Sequence, residues 1–198
     1  MKRFFFLSFF LLSLVGASMA NNNRNLVTQT TSSDCGPAAL ATLLTFYLDI
    51  PATEDEMVRL SNSKLEVGTS LLGLEAAATA KGAAADSFRM TYATLEKQMT
   101  TYPGPVIVRV LLPEPHFLVL LHLDKDYAYV GDPAIGNIVL RKKEFLKRWL
   151  VPGMTEGYVF LAAGNKPLNE TNRQRVVGEL AQGLRNMQTT RPPLTLFR

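Results

Sequence analysis

Reactive side chains are scarce in this 198-residue chain, which has one cysteine, two histidines and one tryptophan. A single cysteine excludes an internal disulfide. There is no strong charge of one sign either: 21 Lys and Arg stand against 17 Asp and Glu, a formal net charge of +4. Removing residues 1–20 takes away Lys2 and Arg3 and no acid, leaving about +2, too weakly basic to argue for a nucleic-acid partner. No apolar run reaches the ~20 residues that a spanning helix needs, the longest being about a dozen. No phosphate-binding loop is present, which excludes a nucleotide-driven transporter domain. What remains is an ordinary globular composition, 47% hydrophobic, long enough for one domain with a sizeable core.

The one long apolar run lies at the N-terminus. Lys2 and Arg3 precede an apolar stretch over 4–15 broken only by Ser8 and Ser13, and Ser18, Met19 and Ala20 form a small-x-small cleavage site. This pattern reads as a secretory signal peptide over 1–20. The protein is therefore expected to be exported, with the membrane involved only through that segment if it stays uncleaved. Exported proteins usually pair their cysteines or lack them. A lone cysteine is then either inert and buried or kept for its reactivity.

Cys35 stands where the polar stretch 29–34 gives way to apolar residues. Asp34 is placed as an N-cap, Pro37 suits a first helical turn, and Leu40, Leu43, Leu44, Tyr47 and Leu48 recur at helical spacing. The spacing predicts an amphipathic helix beginning at the thiol. There the helix dipole and unpaired backbone N–H groups stabilise a thiolate, the nucleophilic form. The competing reading is an inert thiol, since free cysteine is among the most buried residue types. Such a thiol would more naturally lie within the apolar face.

A cysteine nucleophile needs a base, a group that orients the base, and donors for the oxyanion. His116 opens the apolar run 116–121 just after Pro113, Glu114 and Pro115, and His122 closes it. Their even separation puts both on one face of a strand, about 20 Å apart at roughly 3.3 Å per residue, so only one can serve the thiol. Tyr127 to Val130 forms a second strand signal, followed by Gly131, Asp132 and Pro133. A hairpin turning near 124–126 brings Asp132 back beside His116, which selects His116 as the base with Asp132 fixing its tautomer. Taken singly, each histidine also reads as a polar strand end, and Asp132-Pro133 as a turn.

Gln29 in a Gln-x4-Asp-Cys-Gly-Pro-Ala-Ala-Leu block, His116-Phe117-Leu118-Val119, and Asp132-Pro133-Ala134-x-Gly136 together resemble the C39 (bacteriocin-processing) peptidase family over about 25–162. The resemblance implies a papain-like fold, Cys35 as nucleophile, His116 as general base and then general acid, and Asp132 as the group orienting it. It also implies that Gln29 donates its side-chain amide to the oxyanion beside the backbone N–H of Cys35. The implied partner is a peptide or protein substrate; neither cofactor nor metal is implied. The best-known members are cytoplasmic domains of ABC transporters that cut leader peptides after a double glycine. This chain, with its signal peptide, is more similar to stand-alone periplasmic members encoded with secretion systems, including functional-amyloid operons. A double-glycine preference does not carry over.

The remaining pattern is consistent with an α+β class in which N-terminal helices pack on a mainly antiparallel sheet. Thr53-x-x-Glu56 predicts a capping box opening a helix through Leu60, and 70–81 predicts an alanine-rich helix stopped by Gly82. Strands are predicted at 83–90, 106–110, 137–140 and 157–161, and helices at 94–100 and 142–150. The segment 67–70 borders the cleft or merely caps a helix. Trp149, beside Lys147 and Arg148, is a surface for binding or, more commonly for a lone Trp, core. The organisation is thus a signal peptide over 1–20, a peptidase domain over 21–164 and an extension over 165–198. In the extension, Val176, Val177, Leu180, Leu184 and Met187 predict a helix over 169–188. That helix packs on the domain itself, binds a partner or forms a lid.

The leading functional reading is an exported cysteine peptidase working through a thioester. The rivals are a non-cleaving binding or chaperone module for an exported client, and acyl transfer by the same Cys-His-Asp set.

Overall fold

The computed structural model describes residues 23–65, 67–101 and 104–189, without the side chains of 187–189. The signal segment read over 1–20, the end of the C-terminal extension and the side chain of Met187 lie outside the described residues.

Six strands form one antiparallel sheet in the order β1-β6-β2-β3-β4-β5: β1 Ala84–Thr91, β2 Val106–Val110, β3 His116–Leu123, β4 Tyr127–Asp132, β5 Gly136–Arg141 and β6 Glu156–Ala163. Helices α1 (Cys35–Thr42), α2 (Glu54–Leu60), α3 (Leu71–Ala80) and α6 (Glu170–Thr189) cover one face; α4 (Tyr92–Thr101) and α5 (Lys142–Trp149) cover the other. The sheet therefore separates two cores. One holds Leu40, Leu44, Tyr47, Met57, Leu74, Ile107, Phe117, Val119 and Phe160; the other holds Leu95, Val108, Leu118, Leu120, Val130, Phe145, Trp149 and Val159. Being covered on both sides, β3 reads as an unbroken apolar run from Phe117 to Leu121, all buried. The class is α+β, as the sequence predicts.

Local chemistry sets the helix ends. Thr53 accepts from the Glu56 backbone N–H at 3.3 Å, and Ser70 accepts from Gly73 at 3.0 Å. The capping box closes only halfway, because the Glu56 carboxylate turns to Lys81 at 2.7 Å rather than back to Thr53. Trp149 is core: its indole N–H donates to the Tyr158 carbonyl at 3.0 Å, and its ring lies so close to Gly157 that an added Cβ would stand 2.2 Å from it.

Three details depart from the sequence expectation. Helix α1 is not amphipathic: all eight of its residues are buried, because α2 and α3 pack on the side that α1 turns away from the sheet, and it continues into a π-helical turn at Leu43–Tyr47. Asp34 precedes α1 but makes no side-chain cap; its carboxylate accepts from the Thr31 hydroxyl at 2.6 Å instead. A β-bulge between Leu120 and His122 breaks the two-residue alternation of β3. His122 therefore pairs with Tyr129, its ring 5.5 Å away, on the face that α6 covers.

The C-terminal helix packs on its own domain. Val176 is buried, with Val177, Leu180, Ala181 and Leu184 beside it against the α1 core. Arg173 pairs with Glu170 and donates to the Leu121 carbonyl at 3.2 Å, and Asn172 donates to the Phe46 carbonyl at 2.8 Å. Among the described residues no helix is long and apolar enough to cross a membrane.

Candidate active site

The site forms where the first turn of α1 meets the start of β3. Cys35 is the first residue of α1, so its backbone belongs to the turn whose N–H groups have no intrahelical acceptor. Gly36 allows the close approach. A Cβ there would lie 3.2 Å from the Phe117 ring and 3.2 Å from Thr69 Cβ, so any larger residue would push the thiol away from the strand. Proximity to Thr69, and of Gly68 to the Ser33 carbonyl, brings Gly68 and Thr69 against the 33–36 segment. Of the two readings the sequence leaves open for 67–70, the structure shows the cap, Ser70 accepting from the Gly73 N–H at the start of α3.

His116 presents one ring nitrogen to each neighbour. Nε2 is 2.7 Å from Asp132 Oδ1, which leaves Nδ1 for the Cys35 thiol, to which the ring is hydrogen-bonded. Asp132 comes from the end of β4, across the hairpin predicted from the sequence. Its turn is held by Asp124, whose carboxylate accepts from the backbone N–H groups of Asp126 at 2.8 Å and Tyr127 at 2.7 Å. Asp132 is buried, and its Oδ1 also accepts from the Ala134 backbone at 2.9 Å, which fixes the carboxylate.

The electrostatics follow from these contacts. Burial alone pushes the Cys35 thiol up. The hydrogen bond from His116, the N–H groups of Phe117 and Gly36, and the charge of the imidazole outweigh it and hold the thiol below its ordinary value. For His116 burial alone pulls downward, and the hydrogen bonds to Asp132 and Cys35 with their negative charges reverse it, pushing the ring up to about 9. Both shifts run in the direction that favours a thiolate beside an imidazolium. A thiolate with a proton donor beside it can attack an acyl carbon while the donor protonates the group that leaves.

Gln29 lies on the segment leading into α1. Its backbone N–H donates to the Pro133 carbonyl at 2.9 Å, tying this segment to the Asp132 turn. One side-chain N–H donates to the Thr31 carbonyl at 2.8 Å; among the described residues the second has no acceptor, and the buried Oε1 has no donor. The structure thus brings Cys35, His116 and Asp132 together and holds Gln29 by the same turn. His122 stays at the far end of β3, where burial and the nearby Arg173 charge hold its ring below the ordinary value. Sequence reasoning missed the Phe117 and Gly36 N–H groups at the thiol. The adjacency of Gly36 to Cys35 and of Phe117 to His116 was the available signal.

Comparison with known proteins places this arrangement. The "probable functional amyloid protease FapD" of Pseudomonas fluorescens is 33% identical over 149 residues, covering 71% of this chain and 61% of that protein, so the chain spans less than two thirds of this relative. The crystal structure of the peptidase domain of Streptococcus ComA, a bi-functional ABC transporter involved in a quorum-sensing pathway, matches with a TM-score of 0.62 at 23% identity, over 72% of this chain and 99% of that domain. A double glycine motif protease from an AMS/PCAT transporter, solved in complex with the leader peptide, matches with a TM-score of 0.58 at 21% identity, over 71% of this chain and 91% of that one. These two solved structures show the fold, the papain-like arrangement expected from the sequence. With residues 23–155 also matching the family model described as "Peptidase C39 family", the chain belongs to that family.

Proposed function

We propose that this protein is an exported cysteine peptidase of the periplasm that cleaves a peptide or protein substrate through a thioester acyl-enzyme, maturing or regulating a secretion component. The observation that carries the reading is the contact sequence from thiol to imidazole to buried carboxylate, with His116 2.7 Å from Asp132 and hydrogen-bonded to Cys35. The Cys35 thiolate attacks the scissile carbonyl, and the oxyanion that forms takes hydrogen bonds from the Cys35 backbone N–H and the second side-chain N–H of Gln29. His116 gives its proton to the departing amine, which leaves a thioester on Cys35. The neutral imidazole then takes a proton from water, hydroxide character attacks the thioester, and the carboxylic acid is released. Asp132 keeps Nε2–H pointed at itself throughout, so that Nδ1 stays on the sulfur.

A peptide substrate is supported by the solved relative that holds a leader peptide, and a functional-amyloid system by the relatives named as functional amyloid proteases. Export rests on the N-terminal segment read from the sequence. The test is to mix the purified protein with the exported proteins encoded beside its gene and compare products with those of Cys35→Ala by mass spectrometry. New termini that require Cys35, together with active-site thiol labelling that is lost in His116→Ala, are expected. Labelling indifferent to His116, with no cleavage, overturns the peptidase and leaves a client-binding module. Amine-capped products in place of free acids would shift the reading to acyl transfer.

A further inference from the structure

One cation beside the nucleophile lacks an anion. Arg109 lies on β2 directly opposite Phe117, whose backbone N–H points at Cys35 Sγ and whose ring packs on Gly36. Its guanidinium carbon stands 5.7 Å from the Phe117 ring centroid. Arg109 is half-buried, and among the described residues it makes no hydrogen bond or ion pair. Holding a guanidinium partly out of water without a carboxylate costs free energy unless some other group supplies the anion. Two other half-buried cations do have a carboxylate, Arg173 in Glu170 and Lys81 in Glu56.

Arg109 is also the middle of a row. The register pairs Arg109 with Tyr158 on β6, and Tyr158 with Arg89 on β1. Directly opposed residues share a face, so Phe117, Arg109, Tyr158 and Arg89 form one cross-strand line leading away from the thiol. Tyr158 is half-buried, and Arg89 is exposed with Glu156 only at 3.9 Å. Asp132 and its turn flank His116 on the β4 side. Arg109 lies on the opposite, β2 side, across from Phe117.

We infer that Arg109, backed by Tyr158 and Arg89, forms a subsite for a carboxylate side chain, Asp or Glu, carried by the acyl half of the substrate within four residues of the bond attacked at Cys35. The planar fork of the guanidinium suits two carboxylate oxygens, and the Phe117 ring beneath it orients it. This deepens the peptidase reading and rests on it for the word substrate, although the subsite itself needs only a peptide bound at Cys35.

The experiment uses tetrapeptidyl acyloxymethyl ketones that alkylate Cys35, each carrying Glu, Gln or Lys at the second, third or fourth residue from the ketone. At one position the Glu probe labels wild type about 10-fold faster than the Gln probe, as a half-buried charge-assisted contact gives, and the gap narrows in high salt. Arg109→Gln removes the Glu preference while labelling by iodoacetamide stays within about twofold. Arg109→Glu turns the preference at that position toward Lys, a reversal that a merely structural arginine would not give. Equal labelling by Glu and Gln probes at every position, or a Glu preference that survives Arg109→Gln, overturns the subsite. Absence of any Cys35 labelling overturns the reactive thiol and the subsite with it. Probe labelling with the Arg109 dependence but no cleavage of any protein sinks the peptidase alone and leaves the subsite standing.

Discussion

Replacing Asp132 by Asn separates the two things this carboxylate does to His116. Its charge favours the imidazolium, and its Oδ1 accepts the Nε2 hydrogen bond at 2.7 Å. Lifting an imidazole from 6.5 to about 9 corresponds to roughly 3 to 4 kcal/mol in favour of the charged ring, at ~1.4 kcal/mol per pH unit. Two anions share that effect, Asp132 and the Cys35 thiolate, with Asp132 the larger. Since the His116 side chain is only 22% exposed, solvent screens little of it. An asparagine keeps an acceptor oxygen where Oδ1 lies, including the 2.9 Å contact from Ala134, and removes only the charge. The expectation for Asp132→Asn is therefore a ring that stays oriented but loses its proton about one pH unit lower, with peak activity reduced about 10-fold. Asp132→Ala removes charge and acceptor together and should cost about 10²- to 10³-fold. The assay is the pH dependence of Cys35 alkylation by iodoacetamide, which reads thiolate directly, run beside peptide cleavage. In wild type the rate of cleavage rises as pH passes the lowered Cys35 value and falls near 9, where the imidazolium that protonates the leaving amine is lost. An alkaline limb that stays put in Asp132→Asn, or an Asn variant as damaged as the Ala variant, would refute the division between charge and orientation.

Four further outcomes follow from the same contacts. His122→Ala should leave Cys35 alkylation within about twofold of wild type, because His122 sits against Tyr129 and Arg173 at the far end of β3; a large fall would mean that the wrong histidine has been assigned. Gly36→Ala should both lower Tm by a few degrees and slow alkylation, since the added Cβ meets Phe117 and Thr69 at 3.2 Å and has to displace one of them. Gly157→Ala forces a carbon to within 2.2 Å of the Trp149 indole, so it should cost about 3 kcal/mol in urea unfolding and leave little folded protein at 37 °C. Val176→Asp buries a charge in the α1 core and should release α6, seen as faster amide exchange along 170–186 together with a fall in Tm.

The Cys35–His116–Asp132 cluster was legible because it depends on short-range rules that leave marks in order and spacing. A polar-to-apolar junction marks the start of α1, a proline-flanked histidine marks the mouth of β3, and a turn signal at 124–126 fixes which residue of β4 returns beside it. The structure adds that Asp124, eight residues from both His116 and Asp132, ties that turn through two backbone N–H groups and so helps set the register that brings the two together. The misreadings came from packing that no local rule encodes. Helix α1 looked amphipathic because its sequence mixes small residues with large ones, and only the arrival of α2 and α3 makes Ala38 and Ala41 as buried as Leu40. The alternation argument placed His122 on the face of His116 because it counted residues, and a bulge adds one without changing composition.

Asp34 shows why the error at a cap is instructive rather than incidental. A side chain that capped α1 would have spent its oxygen on an N–H of the first turn, in competition with the thiolate for the same donors. By accepting from Thr31 instead, Asp34 folds the 31–34 turn onto itself and leaves the Gly36 N–H to the sulfur. The same turn offers the Thr31 carbonyl that orients the Gln29 amide, so one hydrogen bond and one carbonyl from a single threonine position both the residue before the nucleophile and the side chain proposed for the oxyanion. It follows that Thr31→Val, which deletes only the hydroxyl, should free Asp34 to cap the helix. The folded protein would keep or gain stability by up to about 1 kcal/mol while its Cys35 thiol moves upward and alkylates more slowly at neutral pH. A variant that loses stability and keeps its alkylation profile would show that the Thr31–Asp34 contact is a prop for the loop with no bearing on the thiolate.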